Sequence, residues 1–145
     1  MASPSSSPTP SALVRQYLAV ADKANAGIAR VNAELIQDQT IAQFQASYSE
    51  FAQVNHEFAA DLRSITFPAS MGKDVDSLLA AITHTEDVAR QMSRAQSAQA
   101  INGLSHQLAS ALVEQQAAID NLRSDLGLPR ARQSAKPTAS PTASP

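Results

Sequence analysis

The stretch TIAQFQASYSEFAQVNHEFAADLRSI, residues 40–65, decides the fold of this chain. Within it Ile41, Phe44, Tyr48, Phe51, Asn55, Phe58, Leu62 and Ile65 recur at alternating intervals of three and four. That rhythm predicts a helix with one long, mostly apolar seam. Four of the six aromatic residues of the chain lie on it, in a sequence that is only 4% aromatic, so the largest burial per residue is concentrated here. The remaining helices have to cover this seam.

Working backward, Val14, Tyr17, Ala21, Ala24, Ile28, Val31 and Leu35 keep the same rhythm, and Leu18 and Val20 widen the stripe. So wide an apolar face suits a globular bundle better than a two-stranded coiled coil. Thr9-Pro10 supplies a cap and a proline at the first helical position, where a missing N–H costs nothing. Asp38, Gln39 and Thr40 make a short link, and Thr40 with Gln43 has capping-box spacing. The two helices are therefore expected to be antiparallel neighbours. Folding the chain back at about residue 37 would set Phe44 near Val31, Tyr48 near Gly27, Phe51 near Ala24 and Phe58 near Tyr17.

Working forward, Pro68 is the only proline between Pro10 and Pro129 and must mark a break, because the residue before a proline is pushed out of the helical region. A third helix begins somewhere from Pro68 to Asp74, with a seam of Val75, Leu78, Ile82, Thr85, Ala89 and Met92. After a link near Gln96 and Ser97, a fourth carries Ile101, Leu104, Leu108, Leu112, Gln115, Ile119, Leu122 and Leu126 on what reads as one face. Leu126-Gly127-Leu128-Pro129 is a strong stop: a glycine for a left-handed cap, an apolar residue to fold back, and a proline.

These elements specify an all-α, up-down-up-down antiparallel four-helix bundle over residues 10–128. The rival is a three-helix arrangement in which residues 93–97 do not break the chain. Residues 1–9, rich in Ser and Pro, and residues 129–145, ending in a Pro-Thr-Ala-Ser repeat, have too little to bury and are expected to be disordered tails.

Composition narrows the function by exclusion. Net charge is −2, which splits into −5 for residues 11–128, with eight Lys/Arg against thirteen Asp/Glu, and +3 from Arg130, Arg132 and Lys136. No strong field steers such a chain to nucleic acid, and the aromatics are not interleaved with basic residues as a single-strand platform requires. The absence of cysteine removes disulfides, thiolate metal sites and Cys nucleophiles. No run approaches the roughly 18 apolar residues of a membrane span. The beginning, Met1 followed by Ala-Ser-Pro-Ser-Ser-Ser-Pro-Thr-Pro, lacks the regions of a signal peptide and reads as an initiator placed before the mature part of an exported protein.

Bundles hold metals and haem through inward His, Met and Glu, so His56, His84 and His106 come first. None falls on a seam. His56 and His84 lie at similar heights, with Glu57 and Glu86 close in sequence, but no Glu-x-x-His pair is present and exposed side chains are the simpler reading. Seams filled by Leu, Ile and Phe leave no evident pocket for a nucleophile and its base, so no catalytic residue, cofactor or metal ligand is assigned. What stands out is polar: Asn55, Thr85 and Gln115 interrupt three apolar seams at similar heights, near the level of Ala21. They predict a buried polar layer, which either sets helix register or lines a small ligand site.

The run Ile65-Thr66-Phe67-Pro68, the segment from Asp74-Val75-Asp76-Ser77-Leu78-Leu79 to Ala80-Ala81, and the close from Asn121-Leu122-Arg123-Ser124-Asp125 through Pro129 resemble uncharacterised helical-bundle domains of exported or lipid-anchored proteins in high-GC bacteria. The resemblance covers about half of the domain and consists of helix-end punctuation. It implies an extracytoplasmic address, secreted or attached to the cell envelope, and no activity; the lipid-bearing cysteine of such proteins is absent here. The expectation is a non-catalytic extracytoplasmic domain with a structural or protein-interaction role, its partner an unknown protein or envelope component. The alternative is a sensor-like bundle with a small-ligand or metal site between the helices. Oligomeric state is left open.

Overall fold

The computed structural model describes residues 10–130. Four helices make up the fold: α1 (Pro10–Gln37), α2 (Ile41–Arg63), α3 (Gly72–Met92) and α4 (Ala98–Asp125), with a 3-10 turn at Ala69–Met71 ahead of α3. Each packs against the next, α1 on α2, α2 on α3 and α3 on α4, and short links reverse the chain each time. The bundle is up-down-up-down. The tail foreseen at residues 1–9, all but residues 129 and 130 of the tail foreseen at 129–145, and the cap foreseen at Thr9 fall outside the described residues.

The links are built by local chemistry that the sequence carries openly. Gln43 N–H donates to Thr40 Oγ1 at 3.1 Å while Thr40 N–H donates to Gln43 Oε1 at 3.0 Å, a complete capping box that starts α2. Ser47 Oγ, buried, donates to Asp38 Oδ2 at 2.6 Å and holds the link onto the helix. Residues 93–97 do break the chain, since Ser97 Oγ accepts from Ala100 N–H at 3.1 Å and opens a separate α4. That disposes of the three-helix rival. At the far end Gly127 takes φ +75°, Leu128 N–H reaches Arg123 O at 2.8 Å and Gly127 N–H reaches Ser124 O at 3.0 Å, the paired bonds of a Schellman stop.

The core runs the length of the bundle in three clusters. Tyr17, Ala21, Ala24, Phe58, Leu62, Leu78, Ile82 and Leu122 fill one end. Val31, Phe51, Ala52 and Ala89 form the middle, and Tyr48, Val88, Met92, Ala95 and Ile101 the other end.

Two expectations of register need correction. Gly27 faces Val54 and not Tyr48, Arg30 Nε pairs with Glu50 at 2.7 Å, and Phe51 clusters with Val31 rather than lying opposite Ala24. Because α1 runs intact to Gln37, the reversal falls nearer residue 40, which slides the partners of Gly27 and Val31 roughly a turn and a half along α2, while Phe58 and Tyr17 still share one cluster as expected. In α4 the buried face is Ile101, Ala111, Gln115, Ala118 and Leu122, while Leu112 is 38% exposed. Small Ala111 and Ala118 turn inward because they let α4 lie close to its neighbours, and this rotates Leu112 and Ile119 toward the flank.

Candidate functional site

The bundle is not equally closed on its four sides. The backbones of α1 and α4 approach much less closely than those of the three consecutive pairs. Where α1 and α4 do meet, Tyr17 and Ala21 share a buried cluster with Ala118 and Leu122. Further along, a groove of about 680 Å³ opens between Ile28 and Asn25 on one side and Leu112, Gln115, Gln116 and Ile119 on the other. Val113 stands on its rim, 71% exposed. Beneath it lies a smaller pocket of about 70 Å³, walled by Tyr17, Ala21, Ala24, Ile28, Phe58 and Ile119 and carrying Gln115, Gln116, Asn25 and Arg123 as its polar groups.

All three polar seam residues are buried: Asn55 is 1% exposed, Thr85 0% and Gln115 4%. They do not act as one network. Thr85 Oγ1 donates to Ala81 O of its own helix at 3.1 Å, satisfying itself locally. Asn55 and Gln115 meet across the bundle, from α2 to α4, with Gln115 Nε2 at 3.5 Å from Asn55 Oδ1, longer than the usual N–H···O range.

The orientation of both amides follows from one fixed point. Asn55 Nδ2 donates to Phe51 O at 3.0 Å, and a carbonyl can only accept, so Asn55 Oδ1 is turned to Gln115. Oδ1 also only accepts, so Gln115 has to offer Nε2 and its Oε1 is directed away from Asn55. Among the described residues, Gln115 Oε1 is the one buried side-chain polar atom without a hydrogen-bond partner. Leaving such an acceptor dry costs about 1–3 kcal/mol, and Gln115 lines both the groove and the pocket beneath it.

Several other polar groups that line the pocket are engaged elsewhere. Burial pushes the Tyr17 hydroxyl above its ordinary pKa, against the opposing pull of the Arg123 guanidinium beside it. Arg123 Nε donates to Pro129 O at 2.7 Å, and Gln116 Nε2 donates to Asp120 Oδ1 at 3.1 Å. Arg130 adds a longer ion pair to Asp120 at 3.6 Å on the exposed side. Tyr17 was legible in sequence only as a seam residue and Arg123 only as part of the run that closes the last helix; nothing in their spacing joins them to Gln115.

The histidines are not brought together. His56 Nδ1 lies 3.3 Å from Glu86 Oε2 and His84 Nδ1 lies 3.3 Å from Glu114 Oε1, two separate pairs with both rings about half exposed. Among the described residues no group of three or more His, Cys, Asp or Glu is placed to hold a metal ion. None of the described helices is long and apolar enough to cross a membrane. A second groove, about 520 Å³ and lined by Ile41, Phe44, Ile101 and Ser105, sits at the other end of the bundle, but no buried polar atom is left unpaired in it.

Compared with known proteins, the chain matches no family model, no curated protein and no solved structure.

Proposed function

We propose that this chain is a non-catalytic binding bundle, held outside the cytoplasm as a secreted or envelope-attached domain, whose working face is the flank between α1 and α4. The observation that carries the reading is the unequal closure of the bundle: three sides are sealed by helix on helix, and the fourth keeps an open groove with Leu112 and Val113 exposed at its edge. Apolar side chains at the rim of a concave face are where a partner gains most by excluding water. The extracytoplasmic address rests on the resemblance to exported bundles. Interaction with a protein or envelope component is the first reading of that face.

A second reading, a small-ligand site, is favoured by Asn25, Gln115 and Gln116, polar side chains that line both the groove and the smaller pocket next to it. Native mass spectrometry of the protein purified from its own host, beside the Val113→Glu variant, tests the working face. An added mass, small molecule or subunit, retained by the parent and lost with Val113→Glu supports it. The same bare mass for both removes it, and recovery of the native protein in the cytosolic fraction removes the extracytoplasmic part.

A further inference from the structure

We propose that residues 131–136 of this same chain, Ala-Arg-Gln-Ser-Ala-Lys, lie extended in the α1–α4 groove as its resident occupant. The inference rests on that groove being a docking face, as read above, and names what docks there; an outside partner binds by taking its place.

The end of the described chain already leads into the groove. α4 stops at Asp125, and the chain then doubles back on it: Leu128 N–H donates to Arg123 O at 2.8 Å, Arg123 Nε donates to Pro129 O at 2.7 Å, and Arg130 Nε lies 3.6 Å from Asp120 Oδ2. The last of these contacts is the furthest back along α4, and both Arg130 and Asp120 line the groove. The residue after Arg130 is therefore delivered to one end of it.

Length and side-chain pattern then fit. From Asn121 to Leu112 the groove follows α4 for about 14 Å. An extended segment covers that distance with about four or five residues. Its side chains alternate, so Ala131, Gln133 and Ala135 share one side and Arg132, Ser134 and Lys136 the other. The first set is uncharged and suits a groove walled by Ile28, Leu112 and Ile119. The second set turns two cations outward, over a body whose residues 11–128 carry −5. Backbone N–H and C=O groups of the segment meet Asn25 and Asn121, exposed groove residues whose amides each offer donors and an acceptor.

So short a segment has too little apolar area to bind from free solution. Joined directly to the groove's own Arg130, it is held there at an effective concentration on the order of millimolar, and weak contacts suffice. Residues 137–145 lie past the length of the groove and take no part.

Because the chain has no cysteine, a single Ser134→Cys carries a nitroxide at one defined place in the full-length protein. In isotope-labelled protein its paramagnetic broadening should be at least about threefold stronger at Leu112, Val113 and Ile28 than at His84, which pairs with Glu114 on the other side of α4. Ala131→Glu with Ala135→Glu, which puts two acids on the inward side, should lower the broadening at the groove at least about threefold. Equal broadening on the two sides of α4, or no change with the two acids, overturns the proposal. So does broadening seen only when nitroxide-bearing protein without isotopes is mixed with isotope-labelled protein without the nitroxide, which gives the groove to a second copy. The Val113→Glu comparison by native mass spectrometry reads an added mass and not the tail, so a failed occupant is distinguishable from a failed binding face.

Discussion

Gln115 and Asn55 face each other across the middle of the bundle, Nε2 to Oδ1 at 3.5 Å, and together they link α4 to α2, which are not neighbours in the chain. Removing Asn55 leaves the Gln115 amide without a partner in the interior, and removing Gln115 leaves Asn55 Oδ1 without one while Nδ2 keeps Phe51 O. Asn55→Leu alone is expected to cost about 1–3 kcal/mol and Gln115→Leu alone less, since it also removes the unpaired Oε1, whereas the double variant should recover most of the Asn55→Leu loss, because paired apolar replacements leave no polar group dry. A double-mutant cycle in urea measures the coupling. Strictly additive losses would mean that the two amides do not sense each other.

Phe51 is the central anchor of the middle cluster, 5% exposed and packed with Val31, Ala52 and Ala89. Phe51→Ala should lower stability by about 3–5 kcal/mol, a large share of what a domain of this size has. Chemical unfolding monitored by circular dichroism checks it, and a loss below about 1 kcal/mol would show that the ring is not enclosed.

Gly27 of α1 packs against Val54 of α2, and a Cβ there would lie 2.9 and 3.0 Å from the two methyls of Val54. Alanine normally gains about 1 kcal/mol over glycine inside a helix, but here the added carbon overlaps a branched side chain that has few rotamers to escape into. Gly27→Ala should therefore leave the melting temperature unchanged or lower it. In a Val54→Ala background the same substitution should raise it, and a rise in both backgrounds would show that the contact is not tight.

Tyr17 is 1% exposed, and burial raises its hydroxyl above the ordinary value of 10.0. The protonated form is favoured in the folded state, so this contribution is fully present below pH 10.0 and is lost as pH rises through the higher folded value. The parent protein should lose stability more steeply than Tyr17→Phe between about pH 9 and pH 11. Urea midpoints for both proteins across that range decide it, and parallel curves would show that the hydroxyl titrates as freely as in the unfolded chain.

The architecture was legible because it is written in local signals. Three-and-four spacing in residues 40–65 belongs to a single helix, the Thr40–Gln43 box and the Leu126-Gly127-Leu128 stop act within a few residues, and Pro68 breaks a helix wherever it stands. The burial of Asn55, Thr85 and Gln115 also follows from spacing, since an apolar seam carries its interruptions inside with it.

Which partner each of those residues meets was not legible. Whether Gly27 faces Tyr48 or Val54 depends on where the chain turns, and a few residues of slip change every pairing between α1 and α2 while leaving both seams intact. The rotation of α4 is of the same kind: Leu112 and Ala111 are adjacent in sequence, and only the close approach of neighbouring helices decides that the alanine goes in and the leucine out. The groove exists because α1 and α4 are the first and last helices, joined by no link of their own. Their spacing is set by how the three linked pairs pack, a sum over the whole bundle that no local pattern contains.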